Sequence, residues 1–217
     1  MNSKTLLMLG ITASLMACGG SKKKQPIEAN EAKQITEQAS SNFTIDTESS
    51  VINWAGHKVG GSHHGTLCLK SGNLAIEDDK LLSGSFVIDM NTIVNMDLTD
   101  AKMNQQLVDH LKSSDFFDVQ KYPEAKFEIT QTTKLENNRY QIDGNLTLKD
   151  ITKNISLYAK INKDHEDRYT AITDTFAIDR TQWGVNYGSK NIFKDLKDAI
   201  INDAMDIQIV INSKIKE

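Results

Sequence analysis

The chain has 217 residues, 39% of them hydrophobic and 25% charged, with a formal net charge of −4. That is the make-up of an ordinary folded domain. It argues against nucleic acid as a partner, which calls for a basic stripe. Two prolines and twelve glycines argue against low-complexity or collagen-like structure. No repeat recurs at a fixed period.

Lys4 opens the chain with a positive charge, and residues 5–16 form an apolar run. The run is too short to cross a bilayer core of about 30 Å as a helix. It ends Leu15-Met16-Ala17-Cys18, followed by Gly19-Gly20. This resembles the lipobox of bacterial lipoproteins. The resemblance implies that residues 1–17 are a signal peptide and that Cys18 carries lipid on its sulfur and amino group. Acyl chains there would anchor the protein to a membrane, since each buried CH2 contributes about 0.8 kcal/mol. The expected location is the bacterial cell envelope, on the periplasmic side of a membrane or at the cell surface. Residues 18–41 are polar, small and charged, and read as a flexible tether with a fraying helix over 28–38. With Cys18 acylated, Cys68 has no disulfide partner. Cys68 reads as a small buried hydrophobe rather than a nucleophile.

The domain proper is expected over 42–217, and from Phe43 the pattern is one of strands. Ile52 and Trp54 share a face. His64 to Lys70 and Asn73 to Ile76 follow, separated by an expected turn at Ser71-Gly72. A second turn is expected at Asp78-Asp79-Lys80, and Phe86, Ile88 and Met90 then alternate with polar neighbours.

Asp100 to Lys112 is the one long stretch that reads as a helix. Met103, Leu107 and Leu111 recur at i, i+4 and i+8, with Thr99 or Asp100 as the cap. Phe116-Phe117 marks its exit, and Tyr122-Pro123 stops any continuation. Beyond it, Ala125, Phe127 and Ile129 alternate with charged and polar residues. Asn137-Asn138 and Lys149-Asp150 read as turns. They bound an alternating run that includes Leu146 and Leu148, and a second with Ile155, Leu157 and Ile161 follows. Tyr169 to Ile178 is a further candidate, and Ile207, Ile209 and Ile211 close the series. So many strands with one apolar face each predict an antiparallel sheet closed on itself, which removes exposed edges. A barrel of eight strands is either just filled by side chains or holds one small ligand.

Three segments carry a family likeness. His110 to Asp118 followed by Lys121 to Phe127 is the first, Gly144 to Lys153 the second and Ile178 to Val185 the third. Together, and in this order, they resemble the YceI-like, polyisoprenoid-binding family. The resemblance implies an extended eight-stranded lipocalin-like barrel with a helix (about 100–112) near its opening. It also implies an envelope carrier that holds an isoprenoid or fatty-acyl chain in an elongated cavity. Members of the family can dimerise. Asp150 stands where the family often has Gly, and the stretch Trp54 to Gly65 departs from the commoner form.

Trp54, Phe86, Ile88, Leu107, Leu111, Phe116, Leu146, Leu148, Leu157 and Ile209 have the right chemistry for the cavity wall, and equally for a filled core. Transfer of apolar surface from water gives roughly 25 cal/mol per Å², so a hydrocarbon tail needs such a wall. A polar head needs convergent donors at the mouth. Arg180 and His110 are the candidates, with His57, His63 and His64 as further donors. Arg180 could equally form a structural ion pair with Asp179 or another carboxylate. No metal motif, P-loop, dinucleotide fingerprint or nucleophile elbow is present in the sequence, so no cofactor and no catalytic residue is expected. Two other readings stay open: an enzyme acting on a lipid head group, and an interaction module built on a filled barrel.

Overall fold

Period-two alternation leaves each strand with one apolar face, and eight strands bury that face by closing into a ring. The computed structural model describes residues 24–35, 39–194 and 200–215. Cys18 and the apolar run before it lie outside them. The strands are β1 (Asn30–Glu31), β2 (Phe43–Ile45), β3 (Val51–Lys58), β4 (Gly61–Glu77), β5 (Lys80–Asn95), β6 (Glu124–Lys134), β7 (Arg139–Leu148), β8 (Ile151–Lys163), β9 (Tyr169–Thr173), β10 (Phe176–Asp179) and β11 (Ile201–Ile215). The helix α1 (Ala101–Lys112) lies between β5 and β6, and Arg180–Trp183 form a 3-10 turn.

Strands β3 to β8 pair antiparallel in sequence order. The circuit closes from β8 through β9 and β11 back to β3. The expected eight-stranded antiparallel barrel is therefore present. Its staves are long: β4 has 17 residues and β5 has 16. At about 3.3 Å per residue these make an elongated barrel.

The turns follow from their residues. Asp78 and Asp79 have φ of 48° and 56°, and Lys149 and Asp150 have φ of 50° and 59°. Each pair is a two-residue hairpin with both positions in the left-handed region, matching the right-handed twist of the flanking strands. Asp150 thus occupies its turn without glycine. The expected turn at Ser71-Gly72 is absent. These residues continue β4, opposite Val87 and Phe86, across a register shift that follows Leu69. A glycine in a strand marks a bulge as readily as a turn. Cys68 is exposed rather than buried. Its strand parity points it outward, between the buried Leu67 and Leu69.

One end of the barrel is closed. Tyr140 and Tyr169 are buried there, and their hydroxyls donate to Asp79 in the β4–β5 turn, to its carbonyl at 2.9 Å and its carboxylate at 2.6 Å. The bond from Tyr169 and the charge of Lys163 hold the Asp79 carboxyl below its ordinary range, against a smaller upward push from burial. Burial, with Asp79 beside it, pushes the Tyr169 phenol up to about 12.

In place of a helix over 28–38, the described residues of that stretch run extended along the wall. The Ile27 N–H donates to the Ala177 carbonyl in β10 at 2.7 Å, and Asn30 and Glu31 pair with Asn154 and Lys153 in β8. Between those contacts the segment spans the seam from β8 to β10, where β9 does not reach. Ile27 and Ala29 turn towards the core. Asn145 on β7 clamps the far end: its side chain accepts from the Lys33 N–H at 3.0 Å and donates to the Lys33 carbonyl at 2.7 Å. It also accepts from Asn154. Asn145→Ala is expected to destabilise the fold by about 1–3 kcal/mol, because it removes three hydrogen bonds made by a buried side chain. Denaturant unfolding measures this, and limited proteolysis should find residues 24–35 cut faster.

Candidate functional site

Where the strand ring is not filled, a cavity of about 310 Å³ opens between α1 and the barrel interior. That is the low end of the range of ~300–1,000 Å³ for small-ligand sites. Its wall is almost wholly apolar. Trp54, Ile88, Leu107, Leu111, Phe116, Leu146, Leu148, Leu157 and Ile209 all line it, as do His110 and Arg180. Phe86 does not. It lines a second hollow of about 70 Å³ nearer the closed end.

Several lining residues were placed on strands by the sequence but not among the wall candidates, including Ile52, Ile155 and Ile207. Strand parity could have found these, since each lies two residues from a named inward neighbour. Ile93 could not be found that way. Met90 and Ile93 both face inward, because Thr92 breaks the alternation: its hydroxyl accepts from the Cys68 N–H at 2.8 Å and donates to the Asp89 carbonyl at 2.6 Å.

The helix is a cover, not a core element. Asp100 caps it, accepting from the Met103 N–H at 2.8 Å. Val108 is its buried residue, while Leu107 and Leu111 face the cavity and Met103 is 55% exposed. The i, i+4, i+8 stripe therefore runs from solvent to cavity rather than along one dry face. An aromatic cluster pins the C-terminal end. The His110 ring meets Phe116 edge-on at 5.0 Å and Tyr187 at 4.7 Å. His110 also bonds Asp115 at 3.2 Å.

Arg180 is 3% exposed. Its Nε donates to the Asn202 carbonyl at 3.1 Å, Nη2 to the Ile201 carbonyl at 3.2 Å, and Nη1 to the Val185 carbonyl. Two of its five N–H groups thus tie the 3-10 turn to β11, and a third holds the segment just after the turn. Asp203 stands 3.7 Å away as its ion-pair partner. Burial lowers the guanidinium pKa, and Asp203 and Asp179 oppose that. The alternative of an ion pair with a carboxylate is thus realised, with Asp203 rather than Asp179.

The rim carries His–Asp pairs. His57 Nε2 lies 3.0 Å from Asp206, and His63 Nδ1 lies 2.8 Å from Asp97. Both histidines border the cavity. His64 is largely exposed, but its backbone N–H donates to Asp97 at 2.9 Å. Burial pushes the Asp97 carboxyl up. The His64 N–H, His63 and Asn95 together outweigh that and hold it at about 2. Trp54 lines the cavity, and its indole N–H is buried with no hydrogen-bond partner among the described residues. Such an orphan donor is costly unless something satisfies it. Among the described residues, no group of three His, Cys, Asp or Glu side chains is placed to hold a metal ion.

Comparison with known proteins places this geometry. The YceI-like domain matches residues 43–213. A UPF0312 protein of Photorhabdus laumondii is 37% identical over 75 residues, covering 35% of this chain and 36% of that protein. A UPF0312 protein of Pseudomonas putida is 30% identical over 128 residues, covering 58% and 64%. The chain thus spans from about a third to under two thirds of the length of these relatives. Among solved structures, Burkholderia cenocepacia BcnA superposes with a TM-score of 0.62 at 20% identity, covering 78% of this chain and 99% of that one. A polyisoprenoid binding domain from Saccharophagus degradans superposes with a TM-score of 0.60 at 12% identity, covering 82% and 100%. Both likenesses speak to the fold. A closed antiparallel barrel, hollow beneath a short helix, is the class of protein these features define, and the chain belongs to the YceI-like family.

The rim has a testable pH signature. The folded Asp97 lies at about 2, below the ~3.9 of an unfolded chain. The group therefore adds stability above that unfolded value and loses it as the pH falls towards 2. The difference in melting temperature between the native chain and Asp97→Ala should be full at neutral pH and shrink steadily from about pH 4 to pH 2. A melting series across that range checks it.

Proposed function

We propose that this protein is a lipid-anchored envelope carrier that binds a long-chain lipid, an isoprenoid or a fatty-acyl chain, in the barrel cavity. The carrying observation is the hollow itself, walled almost entirely by apolar side chains. An apolar tail fits that wall.

The solved polyisoprenoid binding domain of the same fold supports an isoprenoid as the tail. Binding rather than catalysis is the reading that an apolar wall favours, and a hollow interior speaks against a barrel that serves only as a filled scaffold. Around the open end, Val59, Met96, Met103, Ile192 and Phe193 are exposed. They lie in the β3–β4 turn, after β5, on α1 and before β11, so the mouth is bordered by apolar side chains suited to exchange with a membrane. Lipid on Cys18 would keep the barrel within reach of that membrane.

Organic extracts of the protein, made without its anchor, should yield a co-purifying lipid by mass spectrometry. Removing that lipid should lower the melting temperature. Leu146→Trp plugs the cavity and should weaken binding by at least about tenfold while the far-ultraviolet circular dichroism is kept. A lipid-free extract together with unaltered melting would sink the reading. Separately, Cys18→Ser should move the protein from the membrane fraction to the soluble fraction on cell fractionation.

A further inference from the structure

The two hollows are stacked along the barrel and share five wall residues: Ile52, Ile88, Phe127, Leu157 and Ile209. These five form a waist. Four are branched aliphatics of similar reach. The fifth, Phe127, is the one aromatic ring among them.

Its position is held by what stands across from it. Phe127 on β6 pairs in register with Leu146 on β7, yet its ring leans two residues towards the closed end, onto Gly144. A methyl group on Gly144 would overlap the far edge of that ring. The ring therefore lies where a side chain at 144 would otherwise stand. Phe86, with its centroid 6.5 Å away, packs beside it at a tilt of 31°. Phe86 lines the lower hollow only. Swinging Phe127 the other way would put it into the larger cavity, so the Gly144 seat is what keeps that cavity open above and floored below.

We infer that Phe127, seated on Gly144, sets the length of hydrocarbon tail that the cavity accepts. The larger hollow takes the head-proximal part of the tail. The ring stops the chain, and the lower hollow is space that a longer tail reaches when the ring is gone. This rests on the carrier reading and adds a residue that determines specificity.

The test uses the full chain, freed of bound lipid. Linear isoprenols from geraniol through farnesol to geranylgeraniol compete for a fluorescent hydrophobic probe. In the native protein, affinity should rise with length and then stop rising. In Phe127→Ala the stopping point should move at least one isoprene unit longer, with about a tenfold gain for the longest alcohol relative to the native protein. Phe127→Leu should move it part of the way, and it serves if the alanine variant does not fold. Gly144→Ala drives the ring towards the mouth and should weaken binding of every length. If the isoprenols bind but the length profiles of the native protein and the Phe127 variants run parallel, the waist assignment is wrong and the carrier reading stands. If the native protein binds none of them, both fall.

Discussion

The hydrogen-bonded circuit of strands, rather than a filled core, holds this cavity open. A hollow loses dispersion contacts on its inner face, because no atoms stand opposite. Backbone pairing must therefore carry the wall. β11 is where that pairing closes. Along one edge it pairs with β10 and then β9, and along the other with β3 and then β2. On each edge the two pairings use different parts of its 15 residues. A shorter strand would leave one stretch of the ring with an open edge, and unpaired backbone groups facing an apolar interior are costly.

The mouth depends on a second set of ties. Arg180 spends three N–H groups on carbonyls of β11 and the segment after the 3-10 turn. It also lies over the Phe116 ring, 5.9 Å from its centroid. Phe116 in turn packs with His110 and Tyr187. The buried cation thus links the strand that closes the barrel to the end of the helix that covers it. Removing one partner from such a buried arrangement leaves polar groups stranded, which costs more than the contact itself contributes. That explains why a charged side chain occurs on an otherwise dry wall without having to bind ligand.

The seam between β8 and β10 shows a polar counterpart. Asn145, Asn154, Asp143 and Ser156 are on strands whose other face is apolar, yet the first three are nearly inaccessible to solvent. The extended segment at residues 24–35 covers them and satisfies Asn145 and Asp143 through Lys33. Asparagine on an outward strand position reads from sequence as solvated. Nothing local to residues 24–35 announces that they will cover it, since the partners are more than a hundred residues away.

The sequence by itself determined the strands, most of the turns, the helix and its Asp100 cap, and through strand parity most of the inward faces. These depend on side chains two to four residues apart, and local spacing records that. It missed the run of β4 through Ser71-Gly72, because a bulge is specified by the strand opposite, and it missed the outward face of Cys68, which the parity of Leu67 and Leu69 on either side does record. Whether Leu107, Leu146 and Ile209 meet in a solid centre or face a hollow was decided only by the tertiary structure. So was the commitment of Arg180 to backbone carbonyls. Volume left over inside a ring depends on strand number, tilt and stagger together, and no single segment of the chain encodes those.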